Sequence, residues 1–250
     1  MNFFFGLNND KFSSVITIPK FSNEDFLDES LLVEFSIKKG KWHVSEDFEY
    51  KEDELFYYIK ETNNYSFYTL IKNEEKKKFN SSEINNISNL TFSKPAYRAN
   101  FKVFREDSGY SSYQQEYPYG MMKVKGNIVS SISSVLNKSS IEKYVLFRNI
   151  YYLPINVDFN VYLVNLKSKS VLEKFNCMTN KSNFLKINDK YLDEDIYLVS
   201  KGYIGIPIYI EVFKDGMISM EHTHPPHSYV LEDRKQIIYN YKKKFIEIIN

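Results

Sequence analysis

Residues 204–224 read Ile-Gly-Ile-Pro-Ile-Tyr-Ile-Glu-Val-Phe-Lys-Asp-Gly-Met-Ile-Ser-Met-Glu-His-Thr-His, and they give the clearest indication of the fold class. Asp215-Gly216 is a favoured two-residue hairpin loop, because both positions tolerate a positive φ angle. The run before it is rich in Ile and Val, which are enriched in β-strands. The stretch therefore predicts an antiparallel β-hairpin.

A two-residue turn sets the register of this hairpin, with Tyr209 opposite His222 and Glu211 opposite Met220. Side chains alternate along each strand, so His222, His224 and Glu211 are expected on one face. Glu221 then falls in the apolar row of the other face, where an ionised carboxylate is costly unless it is paired. Either Glu221 has a partner such as Arg98 or Arg148, which we favour, or the register shifts near Gly216.

Short strand-like runs separated by turn residues recur along the chain. They cover 15–18, 31–37, 55–59, 65–71, 101–104, 143–150, 159–166 and 197–199. The pattern predicts a mostly-β fold, an antiparallel β-sandwich or jelly-roll-like domain. Residues 127–136 are Ser-rich and fit either a short helix or a strand.

A C-terminal amphipathic α-helix is predicted at about 233–249 and is expected to pack on the sheet. Asp233 and Gln236 have the spacing of a capping box. The apolar residues that follow recur at helical spacing: Ile237, Ile238, Tyr241, Phe245 and Ile248.

We predict a single mostly-β domain over 1–250. The polar segment 72–94 is the candidate for an internal boundary or long loop. It would separate an N-terminal β region, 1–71, from a main β domain, 95–250.

Composition excludes several classes of protein. The 33 basic and 32 acidic residues nearly cancel, so no electrostatic footprint for nucleic acid is present. No apolar run has the length of a membrane span, and the N-terminus does not resemble a signal peptide. Cys177 is the only cysteine, which excludes an internal disulfide. We therefore expect a cytoplasmic protein.

Three of the four histidines lie in 222–227, which makes this segment the candidate metal site. Together with Glu211, His222 and His224 have the composition of an iron-binding facial triad. Alternatively, His227 would complete a three-histidine zinc site. The expected cofactor is either none or a single divalent metal, zinc or iron. Structural histidines, and acid–base chemistry without a metal, also stay open.

Gly216, followed after five residues by His222-Thr223-His224, resembles the opening half of the cupin metal motif. In cupins the motif continues with a glutamate. In this chain Ser228 and Tyr229 occupy those places. The resemblance covers about nine residues, and we carry no function over from it.

Residues 109–120 form a second candidate site, because four tyrosines alternate with amides, hydroxyls and a carboxylate. Rings with polar tips suit a sugar, which presents apolar faces and hydroxyl groups together. The alternative is a Tyr-rich strand whose rings cover the core. Arg148 is expected either to pair with a carboxylate or to bind an anionic ligand. The predicted ligand-binding residues are Tyr113, Gln115, Glu116, Tyr117, Tyr119 and Arg148.

No P-loop, dinucleotide-binding, lipase-type or H-E-x-x-H motif occurs. We therefore expect a non-catalytic binding or interaction protein whose partner is a glycan or a protein surface. The alternative is a metal-dependent enzyme, a hydrolase or an oxygenase, that uses the histidine cluster.

Overall fold

The computed structural model describes residues 2–22, 25–26, 30–60, 62–72, 83–84, 98–105, 109–123, 125–133, 135–191, 195–222 and 235–250. These residues form mostly antiparallel β-sheets, with one α-helix near the C-terminus. The mostly-β fold class, sandwich-like with a C-terminal helix, is confirmed.

The strands are β1 (Asn2–Phe3), β2 (Ser13–Pro19), β3 (Phe21–Ser22), β4 (Asp25–Phe26), β5 (Ser30–Lys38), β6 (Lys41–Ser45), β7 (Lys51–Glu52), β8 (Phe56–Ile59), β9 (Phe67–Lys72), β10 (Glu83–Ile84), β11 (Ala99–Phe104), β12 (Tyr110–Gln115), β13 (Tyr117–Pro118), β14 (Val129–Ser131), β15 (Glu142–Asn149), β16 (Asp158–Asn165), β17 (Ser170–Met178), β18 (Lys181–Lys186), β19 (Ile196–Ser200), β20 (Ile206–Val212) and β21 (Ile218–His222). Helix α1 covers Lys235–Ile249, and 3-10 helices cover Tyr119–Lys123 and Asp189–Tyr191.

The chain divides into two compact units. The first comprises 1–123, 150–156 and 180–182, and the second comprises 124–149, 157–179 and 183–250. The candidate boundary or long loop at 72–94 lies outside the described residues, apart from Lys72 and β10. That boundary and the single-domain organisation therefore stay predictions.

In the first unit, the main sheets have the strand orders β12-β11-β2-β8-β7 and β10-β6-β5-β9. The core contains a cluster of buried aromatic rings. Phe35 and Phe67 are stacked, with 5.1 Å between ring centroids, and Phe3 meets Phe67 edge-on at 5.1 Å. Trp42 packs edge-on against Phe67 at 5.2 Å, and its indole N–H donates to the carbonyl of Tyr152. Contacts of this kind contribute about 0.5–1.5 kcal/mol each beyond the area they bury.

In the second unit, two four-stranded sheets enclose an apolar core. Their orders are β14-β19-β16-β17 and β18-β15-β20-β21. Val145 and Phe147 of β15 lie in the same cluster as Val161 and Leu163 of β16, so side chains of both sheets meet in the interior. This arrangement is typical of a β-sandwich.

Helix α1 packs on the outer side of the sheet that contains β16, as the apolar periodicity predicts. Phe245 is fully buried and contacts Tyr162, Val164 and Val199. Ile237 belongs to the predicted stripe but is 66% exposed, so this position does not pack on the sheet. Asp233 of the predicted capping box lies outside the described residues.

The β20–β21 hairpin is present, but its turn is one residue longer than predicted. The N–H of Phe213 donates to the carbonyl of Met217, and the N–H of Gly216 donates to the carbonyl of Phe213. Gly216 has φ 80°. These features are typical of a three-residue loop, a type I turn followed by a left-handed residue.

The longer turn shifts the register by one residue. His222 lies opposite Ile208 rather than Tyr209, and Glu221 lies opposite Tyr209. Glu221 is exposed, so the favoured expectation of a buried, paired Glu221 is wrong. The register shift near Gly216, which was the alternative, is confirmed.

The left-handed conformation of Gly216 predicts that Gly216→Ala destabilises the protein by about 1–2 kcal/mol, because a Cβ is crowded at positive φ. Gly216→Asn should cost less, since Asn tolerates this conformation. Urea denaturation measures both. Gly120→Ala is the control, because a Cβ there meets nothing within 4 Å. Equal stability of Gly216→Ala and Gly120→Ala would contradict the three-residue turn.

Candidate functional site

The histidine segment is only partly described. His222 is the last residue of β21 and is half-buried, whereas His224 and His227 lie outside the described residues. Among the residues that the structure describes, no group of three or more His, Cys, Asp or Glu side chains is arranged to hold a metal ion. A zinc site formed by His222, His224 and His227 therefore stays a prediction.

Glu211 does not join His222. It pairs with Ser219, whereas His222 pairs with Ile208, so the two side chains lie on opposite faces of the sheet. The Glu211 carboxylate is buried and accepts hydrogen bonds from the N–H of Asn137 at 2.6 Å and the hydroxyl of Ser140 at 2.7 Å. The predicted facial arrangement of Glu211 with His222 is wrong, because the longer turn moves His222 to the other face.

The Tyr-rich segment forms β12, an edge strand of the five-stranded sheet. Two of its predicted ligand-binding side chains point to the interior. Gln115 is fully buried, accepting a hydrogen bond from the N–H of Phe5 and donating one to its carbonyl. Tyr113 lies opposite Phe101, and the two rings meet edge-on at 6.0 Å. The row of β12 that contains Tyr113 and Gln115 therefore packs toward the core.

The other predicted ligand-binding residues differ in burial. Tyr117 is fully buried, and its hydroxyl donates to the carbonyl of Ile150. Glu116 is half-buried, with a carboxylate oxygen 3.6 Å from Nε of Arg98. Arg148 is fully buried in β15 of the second unit. The side chain of Tyr119 lies outside the described part of the chain.

The opposite row of β12 faces solvent and continues across the sheet. Gln114 lies beside Asn100, Asn100 beside Thr17, and Thr17 beside Tyr58. Directly paired residues share a face, so these four side chains form one row across β12, β11, β2 and β8. At ~4.8 Å per strand the row is about 14 Å long. We call this solvent-facing side of β12, β11, β2 and β8 the open face.

A second part of the open face surrounds Tyr110, whose side chain is 64% exposed. The ammonium group of Lys102 lies 3.7 Å from the centroid of its ring. A cation at this distance is attracted to the electron-rich face of the ring. Ser112, which lies opposite Lys102, is exposed. This part of the open face therefore combines a ring that is held in place with a hydroxyl group.

Tyr58 is fixed at the far end of the row by Asp53. Its hydroxyl donates to Oδ2 of Asp53 at 2.7 Å. This hydrogen bond lowers the pKa of Asp53, as do hydrogen bonds from the backbone N–H groups of Leu55 and Phe56. The same bond raises the pKa of Tyr58. The pair therefore stays a charged carboxylate and a neutral phenol at neutral pH, with the ring oriented.

Sequence reasoning missed Asn100, Thr17 and Tyr58 as candidates. The available signal was the alternation in β11, where Ala99, Phe101 and Val103 are buried. Residues between them must face the other way. Without the strand order, nothing indicated that β2 and β8 would extend that row.

Comparisons with protein-family models, with curated proteins and with solved structures find no match. Within the described part of the chain, no helix combines the length and apolar character needed to cross a membrane.

Burial raises the pKa of the Tyr113 hydroxyl well above its ordinary value of 10.0, and nearby Glu116 raises it further. The unfolded chain loses this proton near pH 10, whereas the folded protein keeps it. The stability that Tyr113 contributes is therefore fully present below pH 10.0 and is lost as pH rises above it.

We predict that the free energy of unfolding falls less in Tyr113→Phe than in the wild type when the pH is raised from ~8 to ~10.5. The difference between the two falls should be about 0.8 kcal/mol. Urea denaturation at the two pH values measures this difference. Tyr239→Phe is the control, because that side chain is 64% exposed, and it should follow the wild type. An identical alkaline loss in Tyr113→Phe and the wild type would show that the ring is not buried.

Proposed function

We propose that this chain is a non-catalytic binding protein whose first unit takes a carbohydrate on the open face. The observation that carries the proposal is the row of exposed Gln114 and Asn100 and half-buried Thr17 and Tyr58 across four strands. Such a surface offers polar groups and aromatic rings at regular spacing, which is what an oligosaccharide requires.

Hydrogen bonding is the first argument for this ligand class. Side-chain amides both donate and accept, as sugar hydroxyl groups do, so Gln114 and Asn100 match a sugar edge. Ser112 and Thr17 add hydroxyl groups with the same dual capacity. All four side chains stand on β-strands rather than on loops, so little ordering is needed on binding.

The aromatic rings provide the second argument. Tyr110 and Tyr58 present apolar surfaces with polar tips, which suit the C–H faces of a pyranose ring. Lys102 lies over the ring of Tyr110, and Asp53 holds the hydroxyl of Tyr58. Both rings are therefore oriented before a ligand arrives, which lowers the entropic cost of binding.

The charges of the open face favour a neutral glycan. Lys102 lies on the open face, and Lys51 of β7 lies beside Tyr58 at its edge. Asp53 bonds Tyr58, and Glu116 lies near Arg98. Because both signs occur, neither a sulfated nor a cationic sugar would be attracted strongly. We therefore expect neutral hexose oligosaccharides as the ligand class.

A glycan array with the full chain, followed by calorimetry on the best ligand, tests the proposal. Tyr110→Ala and Gln114→Ala should each weaken binding about tenfold or more, which corresponds to ~1.4 kcal/mol. Tyr239→Ala is the matched control, because Tyr239 and Tyr110 are both 64% exposed but Tyr239 lies on α1. It should bind like the wild type.

Two outcomes would overturn the proposal. One is a wild-type protein that binds no glycan on the array. The other is a glycan that binds Tyr110→Ala and Gln114→Ala as tightly as it binds the wild type, which would place the sugar elsewhere.

A further inference from the structure

The second unit contains a cavity of about 390 Å³. It lies where β15 begins and β18 ends, beside β17. Its lining residues are Ile141, Glu142, Lys143, Glu173, Lys186, Ile187, Asn188 and Asp189. The volume falls within the range of about 300–1,000 Å³ that is usual for small-molecule sites.

Lys143 lines this cavity, and its side chain is held in one position. Its side chain is fully buried, and its ammonium group lies 2.8 Å from Oδ1 of Asp189. It also donates to the carbonyl of Ser140, whose hydroxyl binds the buried carboxylate of Glu211. The charge of Lys143 is therefore neutralised within the protein, and its position is held by hydrogen bonds from two directions.

Glu173 has a carboxylate oxygen for which the described residues provide no hydrogen bond. It stands on β17, and its Oε2 is buried without a hydrogen-bond partner among the described residues. A buried acceptor that is left unpaired costs about 1–3 kcal/mol, and more when it is charged. Glu142 differs, because its carboxylate accepts a hydrogen bond from the hydroxyl of Tyr144. A ligand with a donor group would pair with the carboxylate of Glu173.

The charge of the lining indicates which kind of hydrogen-bond donor would pair with Glu173. Three carboxylates, Glu142, Glu173 and Asp189, face two ammonium groups, Lys143 and Lys186, which leaves a formal charge of −1. Asp189 is paired with Lys143, and Lys186 is exposed at the end of β18. Glu173 is therefore the lining carboxylate with a buried oxygen that no described residue bonds.

We propose that this cavity binds a small organic cation with a primary ammonium group, such as a short alkyl amine or diamine. The ammonium group pairs with the carboxylate of Glu173. A charge-assisted bond of this kind is about twice as strong as a neutral one. The carbon chain packs against Ile141 and Ile187, the two apolar residues of the lining.

Calorimetric titration of the full chain with 1,4-diaminobutane tests the proposal, with 1,4-butanediol as the neutral ligand of the same length. The diamine should bind saturably in the millimolar range or tighter and raise the melting temperature, whereas the diol should do neither. Glu173→Gln should weaken diamine binding at least tenfold. Glu247→Gln, an exposed helix position, should bind like the wild type.

Ile141→Trp gives an independent check, because Ile141 is 46% exposed and its enlargement fills the cavity without entering the core. It should abolish diamine binding with an unchanged melting temperature. The proposal is overturned if the diamine does not bind, if the diol binds equally well, or if Glu173→Gln and Ile141→Trp keep wild-type affinity. Displacement of the diamine by calcium chloride would also overturn the proposal, because it would indicate a site for inorganic cations.

Discussion

Side-chain alternation along paired antiparallel strands is the constraint on which both units depend. Register between neighbouring strands decides which row of side chains enters the core and which faces away. In the first unit, the pairing of Asn100 with Gln114 leaves Phe101 and Tyr113 inside. A shift by one residue would exchange the two rows, exposing the aromatic row and burying amides without partners. Because that exchange is unfavourable, the register that buries the aromatic row also determines which side chains lie on the open face.

Turn chemistry fixes register at the strand ends, and one residue there changes what a distant side chain can do. Gly216 takes a left-handed conformation and extends the turn to three residues. His222, eleven positions after Glu211 in the sequence, consequently lies on the opposite face of the sheet. Glu211 instead binds Asn137 and Ser140, and the carbonyl of Ser140 accepts a hydrogen bond from Lys143. The polar end of the second core and the cavity beside it therefore depend on this register.

Much of the fold could be predicted from the sequence, because central strands carry apolar runs. The strands that were missed include β17 and β18, and both are edge strands of their sheets. Edge strands have polar residues on their exposed sides, so their apolar periodicity is weak. The candidate site was harder to predict, because a row across four strands depends on strand order. In β12 the side chains that face solvent are Tyr110, Ser112 and Gln114, which alternate with the predicted ligand-binding residues Tyr113 and Gln115.

The register of β12 can be measured directly by cysteine labelling. Variants with a single cysteine introduced at position 112, 113, 114 or 115 would be treated with a maleimide reagent in the folded state. Cys177 is buried and contributes little background labelling. Fast labelling is expected at 112 and 114, and slow labelling at 113 and 115. Uniform rates along the strand, or fast labelling at 113 and 115, would contradict it.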